Sequence, residues 1–117
     1  MFLKLNHQNL DLFSCSKVLV LESYKFTNTL PAEEKFGMIS QIRRAALSVH
    51  LNITEGASRK TIAERRRFFE IARGSLVEVD TAIDIAMELK YNREYDLNLL
   101  GNAMLRSFQM LSRLIKS

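Results

Sequence analysis

Apolar residues recur along the chain at the three- and four-residue spacing of amphipathic α-helices. At about 100° of rotation per residue, this spacing predicts four helices, over about 9–29, 32–57, 61–91 and 93–116. The chain has four glycines and one proline, too few for the many turns of a β-rich fold. Short connections make neighbouring helices antiparallel by default. The pattern therefore predicts an all-α, antiparallel up-and-down four-helix bundle that forms one domain over 1–117.

The first predicted helix carries two apolar stripes, although only one side of a bundle helix faces the core. One stripe consists of Leu10, Phe13, Val20, Leu21 and Tyr24. The other, on roughly the opposite side, consists of Leu12, Cys15, Leu19, Phe26 and Leu30. We interpret the second stripe as an interface with further copies of the chain. The alternative is that a wide core contact buries both stripes.

Local signals indicate where the other helices begin and end. Pro31 suits the first turn of the second helix, which leaves Gly37 inside that helix at a cost of about 1 kcal/mol relative to alanine. Gly56 is a plausible terminator of the same helix. Thr61 and Glu64 have the spacing of a capping box, which marks the start of the third helix.

The charge of the chain is concentrated in one region. The net charge is +4, but 43–73 holds eight basic and three acidic residues, which gives +5 there and −1 elsewhere. The candidate phosphate-binding residues are Arg43, Arg44, Arg59, Lys60, Arg65, Arg66 and Arg67. Several of them fall in the first turns of the third helix, while acidic residues (Glu78, Asp80, Asp84, Glu88) follow toward its other end. Both placements oppose the helix dipole, so helix stability does not explain them.

Two explanations of this charge pattern compete. A helix N-terminus surrounded by cations can bind phosphate groups. Alternatively, the cations pair with acidic residues of neighbouring helices or subunits, for example Glu33, Glu34 or Glu55. The aromatic residues of the region, Phe68 and Phe69, fall on the core face, so a nucleic acid would be held by its backbone and not by base stacking.

No catalytic or metal-binding pattern is present in the sequence. The Glu-x-x-His pairs of di-iron bundles are missing, because Lys4 and Leu47 lie three residues before the two histidines, His7 and His50. Phosphate loops, zinc motifs and nucleophile elbows are also missing. We therefore expect a protein that is not an enzyme and that has no cofactor and no metal.

The rest of the sequence suggests a cytoplasmic protein. The lone Cys15 cannot form an internal disulfide, which favours a reducing compartment. The N-terminus lacks the pattern of a signal peptide, and no apolar run reaches the roughly 20 residues needed to cross a bilayer. We therefore expect no membrane contact.

A specific pattern extends over 36–89. It consists of FGMISQIRRAA at 36–46, SV at 48–49, NITEG at 52–56, FFEIARGSL at 68–76 and EV at 78–79, and LF at 12–13 and LPAEE at 30–34 fit as well. In these residues the chain resembles the four-helix-bundle proteins encoded in intervening sequences of bacterial 23S ribosomal RNA genes. It departs from the usual pattern at His50, where proline is common, and at Leu51 and Thr54, where alanine is common.

The resemblance implies an antiparallel four-helix protomer that assembles into a homopentameric, barrel-like ring. It also suggests association with RNA, from the genomic setting of the family. A distantly similar bundle, the accessory protein of diversity-generating retroelements, binds a reverse transcriptase and nucleic acid. The expectation is a non-enzymatic pentamer that binds nucleic acid through a basic surface, with RNA as the expected ligand and DNA as the alternative. The alternative is a protein-interaction or structural scaffold, such as a reverse transcriptase partner, whose charges serve subunit pairing.

Overall fold

A computed structural model of the chain describes residues 1–91 and 94–117. Its four helices are α1 (Asp11–Thr27), α2 (Met38–Ser58), α3 (Ile62–Glu88) and α4 (Asn98–Lys116). Two short 3-10 turns precede α1 and α2, at Asn6–Asn9 and Ala32–Glu34, and the described residues form no strand. The prediction of an all-α protein with four helices is confirmed. The predicted start of the fourth helix at residue 93 lies outside the described residues, and α4 itself begins at Asn98.

Each helix packs against two others, so that the helices surround one core. α1 contacts α2 and α4, and α3 contacts the same two helices, with the most extensive contact between α2 and α3. The fully buried centre of this core includes Leu19, Phe26, Ile42, Val49, Ile53, Val79, Leu100 and Leu111.

The prediction that one stripe of α1 forms an oligomer interface is wrong. Its members, Leu12, Cys15, Leu19, Phe26 and Leu30, are at most 7% exposed in the single chain, because they fill its own core. Of the opposite stripe, Leu10, Leu21 and Tyr24 stay exposed. Both stripes are apolar, so the sequence alone did not reveal which one faces inward.

The start of α2 also differs from the prediction. Pro31 leads into the 3-10 turn at Ala32–Glu34, and α2 begins only at Met38. Gly37 is the residue before the helix and not part of its interior. The Glu34 side chain reaches forward to this helix start and accepts a hydrogen bond from the Met38 N–H at 3.3 Å, which satisfies one of the free N–H groups there.

Gly56 does not end α2 but lies buried within its last turn. A Cβ atom built there would lie 2.7 Å from Cε1 of Phe69 and 3.2 Å from the carbonyl oxygen of Arg65. The missing side chain therefore lets α3 approach α2 closely. The predicted cap of α3 is confirmed, since Thr61 Oγ1 accepts a hydrogen bond from the Glu64 N–H at 3.1 Å.

The polar anchor between α1 and the residues before α4 is the buried carboxylate of Glu22. The Tyr95 hydroxyl donates to this carboxylate, and Lys25 Nζ lies 3.1 Å from it. The hydrogen bond from Tyr95, helped by Lys25, lowers the pKa of Glu22 in spite of its burial. Burial and the same carboxylate raise the pKa of Tyr95.

Replacing Gly56 by alanine is expected to destabilise the protein by about 1–3 kcal/mol, because the new methyl group overlaps the buried ring of Phe69. The measurement is the free energy of unfolding in urea. Gly74 is the matched control, since a Cβ there meets nothing within 4 Å and Gly74→Ala should stabilise the helix by about 0.4–1 kcal/mol. Equal effects of the two substitutions would contradict the close approach of α2 and α3.

Tyr95→Phe is expected to reduce the free energy of unfolding by about 1–3 kcal/mol near neutral pH, because it leaves a buried carboxylate short of a donor. The pKa of Glu22 lies below its ordinary value of 4.5 in the folded state. Its contribution to stability is therefore complete above pH 4.5 and is lost as the pH falls through the folded pKa. Urea unfolding of both proteins should show a smaller difference at low pH than at neutral pH. A difference that does not change with pH would rule out this role of Glu22.

Candidate nucleic-acid interface

The seven basic residues singled out in the sequence do not form one cluster. Arg43 and Arg44 lie in the second turn of α2, whereas the others begin at Arg59, just after that helix ends. The rise of about 1.5 Å per residue puts roughly 22 Å of helix between the two groups. The single patch suggested by the sequence is thus divided between the two ends of α2.

Arg43 is held against α1. Its Nε donates to Thr27 Oγ1 and its Nη2 to Asn28 Oδ1, both at 2.8 Å, and its guanidinium lies 4.7 Å from the ring centre of Tyr24. Arg44 is exposed, and among the described residues its side chain hydrogen-bonds Gln41 alone, at 3.3 Å. Arg43 is therefore committed to contacts within the chain, in contrast to its neighbour.

The second group gains two residues that sequence reasoning missed. Arg66 Nη2 donates to the carbonyl oxygen of Ser117 at 3.1 Å, which brings the last turn of α4 beside the first turns of α3. That last turn carries Arg113 and Lys116. We call the combined surface the basic end; it consists of Arg59, Lys60, Arg65, Arg66, Arg67, Arg113 and Lys116. The two α4 residues fit the ordinary dipole preference of a helix C-terminus, so their sequence positions gave no signal of another role.

Most cations of the basic end are not neutralised by the chain itself. Arg59 forms an ion pair with Glu55 and lies 5.2 Å from the ring centre of Phe68. In the part of the chain that the structure describes, Lys60, Arg65 and Arg67 have no side-chain hydrogen bond or ion pair. Pairing within the chain thus holds for Arg59 with Glu55. Glu34 does not pair with these cations, because its side chain caps α2 and accepts a hydrogen bond from Tyr91.

The shape of the basic end adds a shallow pocket between α3 and α4. Its volume is about 200 Å³, and it is lined by Ile62, Arg65, Arg66, Phe69, Leu114 and Ser117. The positive end of the α3 dipole points the same way as these cations. The combination is electrostatically suited to phosphate oxygens.

A serine and a histidine meet elsewhere in the bundle, between α1 and α2. Ser16 Oγ lies 2.6 Å from His50 Nδ1 and 3.1 Å from the carbonyl oxygen of Phe13. Ser16 has no exposed surface, so the pair offers no nucleophile to a substrate in solution. Burial, with Lys17 and His7 nearby, lowers the pKa of His50. This geometry fits a packing role for the pair.

Because the pKa of His50 is lower in the folded state than its ordinary value of 6.5, the unfolded chain binds the proton more readily. The stabilisation by neutral His50 is complete above pH 6.5 and is lost as the pH falls toward the folded pKa. Urea unfolding should therefore show that the wild type loses more stability between about pH 7.5 and pH 5 than His50→Gln does. Equal losses in the two proteins would contradict the shift.

The fold and its charges together define a small all-α protein with one basic end. No helix in 1–91 or 94–117 combines the length and apolar character needed to cross a membrane. The family model described as 23S rRNA-intervening sequence protein matches residues 8–113, and the chain belongs to this family. The resemblance seen in the sequence is thereby confirmed. No match was found among curated proteins.

Proposed function

We propose that this protein is a non-enzymatic nucleic-acid-binding protein that holds RNA at its basic end. The observation that carries the proposal is the meeting of α3 and α4, where Arg66 bonds the Ser117 carbonyl. This contact adds the cations of α4 to those at the start of α3, and within the described residues Arg59 is the one cation of the basic end that is paired with an acid. The family description, with its reference to 23S rRNA, favours RNA.

The contacts would be to the phosphate backbone. Phe69 is buried and Phe68 is largely covered, so neither ring is available for stacking on a base. Arginine side chains bind phosphate oxygens with two parallel hydrogen bonds. Backbone contacts position a protein on nucleic acid but carry no direct sequence information. Low sequence specificity follows from this mode of binding.

The proposed functional unit is a homo-oligomer of antiparallel bundles, a pentameric ring as the family resemblance implies. The antiparallel arrangement is supported by the bond between the start of α3 and the end of α4 and by that between Ser16, early in α1, and His50, late in α2. In a closed ring, all basic ends would lie on one rim. Several linked weak sites then bind one long polyanion much more tightly than a single site does.

RNA binding should weaken steeply with salt. If about six phosphates are neutralised, log K should fall with log salt at a slope of about −4 for a single strand and about −5 for a duplex. Arg65→Ala/Arg66→Ala/Arg67→Ala should reduce the slope by about 2 on a single strand. Fluorescence anisotropy with labelled RNA and DNA across a salt series measures both. Absence of binding at low salt would refute the proposal.

A charge-matched pair of variants tests the role of α4 in the same assay. Arg113→Ala/Lys116→Ala removes two cations from the basic end, and Lys35→Ala/Lys90→Ala removes two exposed cations outside it. The first pair should reduce the slope by about 1 and the second should leave it unchanged. Equal effects would show that only net charge matters.

A scaffold function is the second candidate, for example as a partner of a reverse transcriptase. It is favoured by an open apolar groove between α3 and α4 of about 520 Å³, a surface suited to packing against another protein. Size-exclusion chromatography with light scattering of the Arg65/Arg66/Arg67 alanine variant separates the two candidates. Loss of the oligomer would favour charges that pair subunits, and an intact oligomer that no longer binds RNA would favour the basic end as the RNA site.

A further inference from the structure

The groove between α3 and α4 is an exposed apolar surface that no element of the described residues covers. Its lining includes Val77, Met87, Leu105 and Phe108, which are between 39% and 58% exposed. Gly101 also lines the groove, and a Cβ there would meet nothing within 4 Å. Large apolar side chains gathered around an open groove are typical of a binding site.

A second apolar surface lies on α1 and α2. Leu21 and Tyr24 project from α1, and Leu47 and Leu51 from α2, with exposures between 38% and 55%. On each helix the pair is spaced three or four residues apart, so that both pairs form straight ridges. The Arg43 side chain joins the two helices here by its contact with Tyr24. We call this surface the α1–α2 face.

These two surfaces lie on opposite sides of the bundle. α1 and α2 pack against each other, as do α3 and α4, and the bundle is closed by the contacts of α2 with α3 and of α1 with α4. The hydroxyls of Ser48 and Ser75, 2.9 Å apart, place Leu47 level with the Leu76–Val77 end of the groove. One chain thus carries a ridge and a groove that overlap in position along the bundle axis and that face away from each other.

The charges beside the two surfaces have opposite signs. Asp80 lines the groove, and Asp84 lies on the same stripe of α3, between the positions of Val77 and Asp80 around the helix. On the α1–α2 face, Lys17 lies one helical turn before Leu21 on α1, and Arg44 lies one turn before Leu47 on α2. Within the described residues, none of these four side chains has an ion-pair partner.

We propose that the α1–α2 face of one copy of this chain occupies the α3–α4 groove of the next copy. Leu47 and Leu51 would contact the groove residues Leu105 and Phe108, and Lys17 and Arg44 would pair with Asp80 and Asp84. Such a contact is heterologous, because different surfaces of the two copies meet, and repetition of it gives a ring if the rotation closes. The inference rests on the proposed oligomer and identifies its interface.

This arrangement accounts for two features that the single chain leaves unexplained. Asp80 and Asp84 have no ion-pair partner among the described residues, and an intermolecular pairing supplies one. Arg44 is separated from the basic end by about 22 Å of helix. In the proposed interface its partner is an aspartate of the next copy and not a nucleic acid.

Two variants, each with one surface disrupted, test the proposal. Leu47→Asp/Leu51→Asp disrupts the ridge and leaves the groove intact, and Leu105→Asp/Phe108→Asp does the reverse. By light scattering, each variant alone should have the mass of one chain, 13.5 kDa, whereas the wild type is larger. An equimolar mixture should form a heterodimer of twice 13.5 kDa that grows no further, because one ridge and one groove remain to meet. A mixture that stays monomeric, or a monomeric wild type, would overturn the proposal.

The matched control is Ile71→Asp, which alters an exposed apolar residue of α3 outside both surfaces and should leave the assembly unchanged. Far-UV circular dichroism checks that each variant folds. As a second test that keeps the apolar residues, Asp80→Lys/Asp84→Lys should abolish assembly, and mixing it with Lys17→Glu/Arg44→Glu should restore a complex in which the two variants alternate, because the ridge of each then meets a groove of opposite charge. Failure of the charge exchange to restore a complex would remove the proposed pairing.

RNA binding is measured separately on the same proteins. If the mixed variants form the heterodimer but no protein binds RNA, the interface stands and the proposed RNA function falls. If RNA binds and no heterodimer forms, the interface falls and the RNA function stands.

Discussion

The close packing of α3 on α2 is the constraint on which the rest of the structure depends. The two helices are separated by only three residues, 59–61, and they lie side by side. They can do so at this distance because Gly56 has no Cβ to meet the ring of Phe69. Further along, the Ser48 and Ser75 hydroxyls bond each other between the same helices. This pair of helices fixes where the first turns of α3 point and thereby where the basic end lies.

Apart from Glu64 in the first turn, the charges near the two ends of α3 oppose its dipole. Cations near the N-terminus and acids near the C-terminus each cost a few tenths of a kcal/mol. Within the described part of the chain, ion pairing offsets this cost at Arg59 alone among the cations of the basic end. A polyanion at the basic end and a second copy at Asp80 and Asp84 would together supply the missing counter-charges. Both proposals therefore arise from one physical anomaly.

The two proposed surfaces do not compete for space. The basic end lies at one end of the bundle, where α3 starts and α4 finishes, while the α1–α2 face and the α3–α4 groove lie on its sides. Copies joined by their sides leave their ends free. Arg43 and Arg44 belong to the sides in this arrangement, where Arg43 also stabilises the fold through Thr27 and Asn28.

The sequence by itself determined the all-α class, the four helices, the capping of α3 by Thr61 and the family. These depend on local periodicity and on short motifs, which residues close in sequence specify. The positions of the basic residues were equally visible, but not their grouping. Arg113 and Lys116 join the basic end, and Arg43 and Arg44 leave it, because the packing of the helices decides which distant residues meet.

Only the tertiary structure decided which face of α1 is buried. Both stripes of that helix are apolar, and periodicity gives the spacing of a stripe but not the element that covers it, so the sequence does not show that the stripe with Leu12 and Leu19 fills the core. The prediction that Gly56 ends α2 fails for a similar reason, since the role of this glycine depends on Phe69, which comes 13 residues later. The sequence of a helix shows that it has an apolar side, whereas the packing of the whole chain determines which neighbour covers that side.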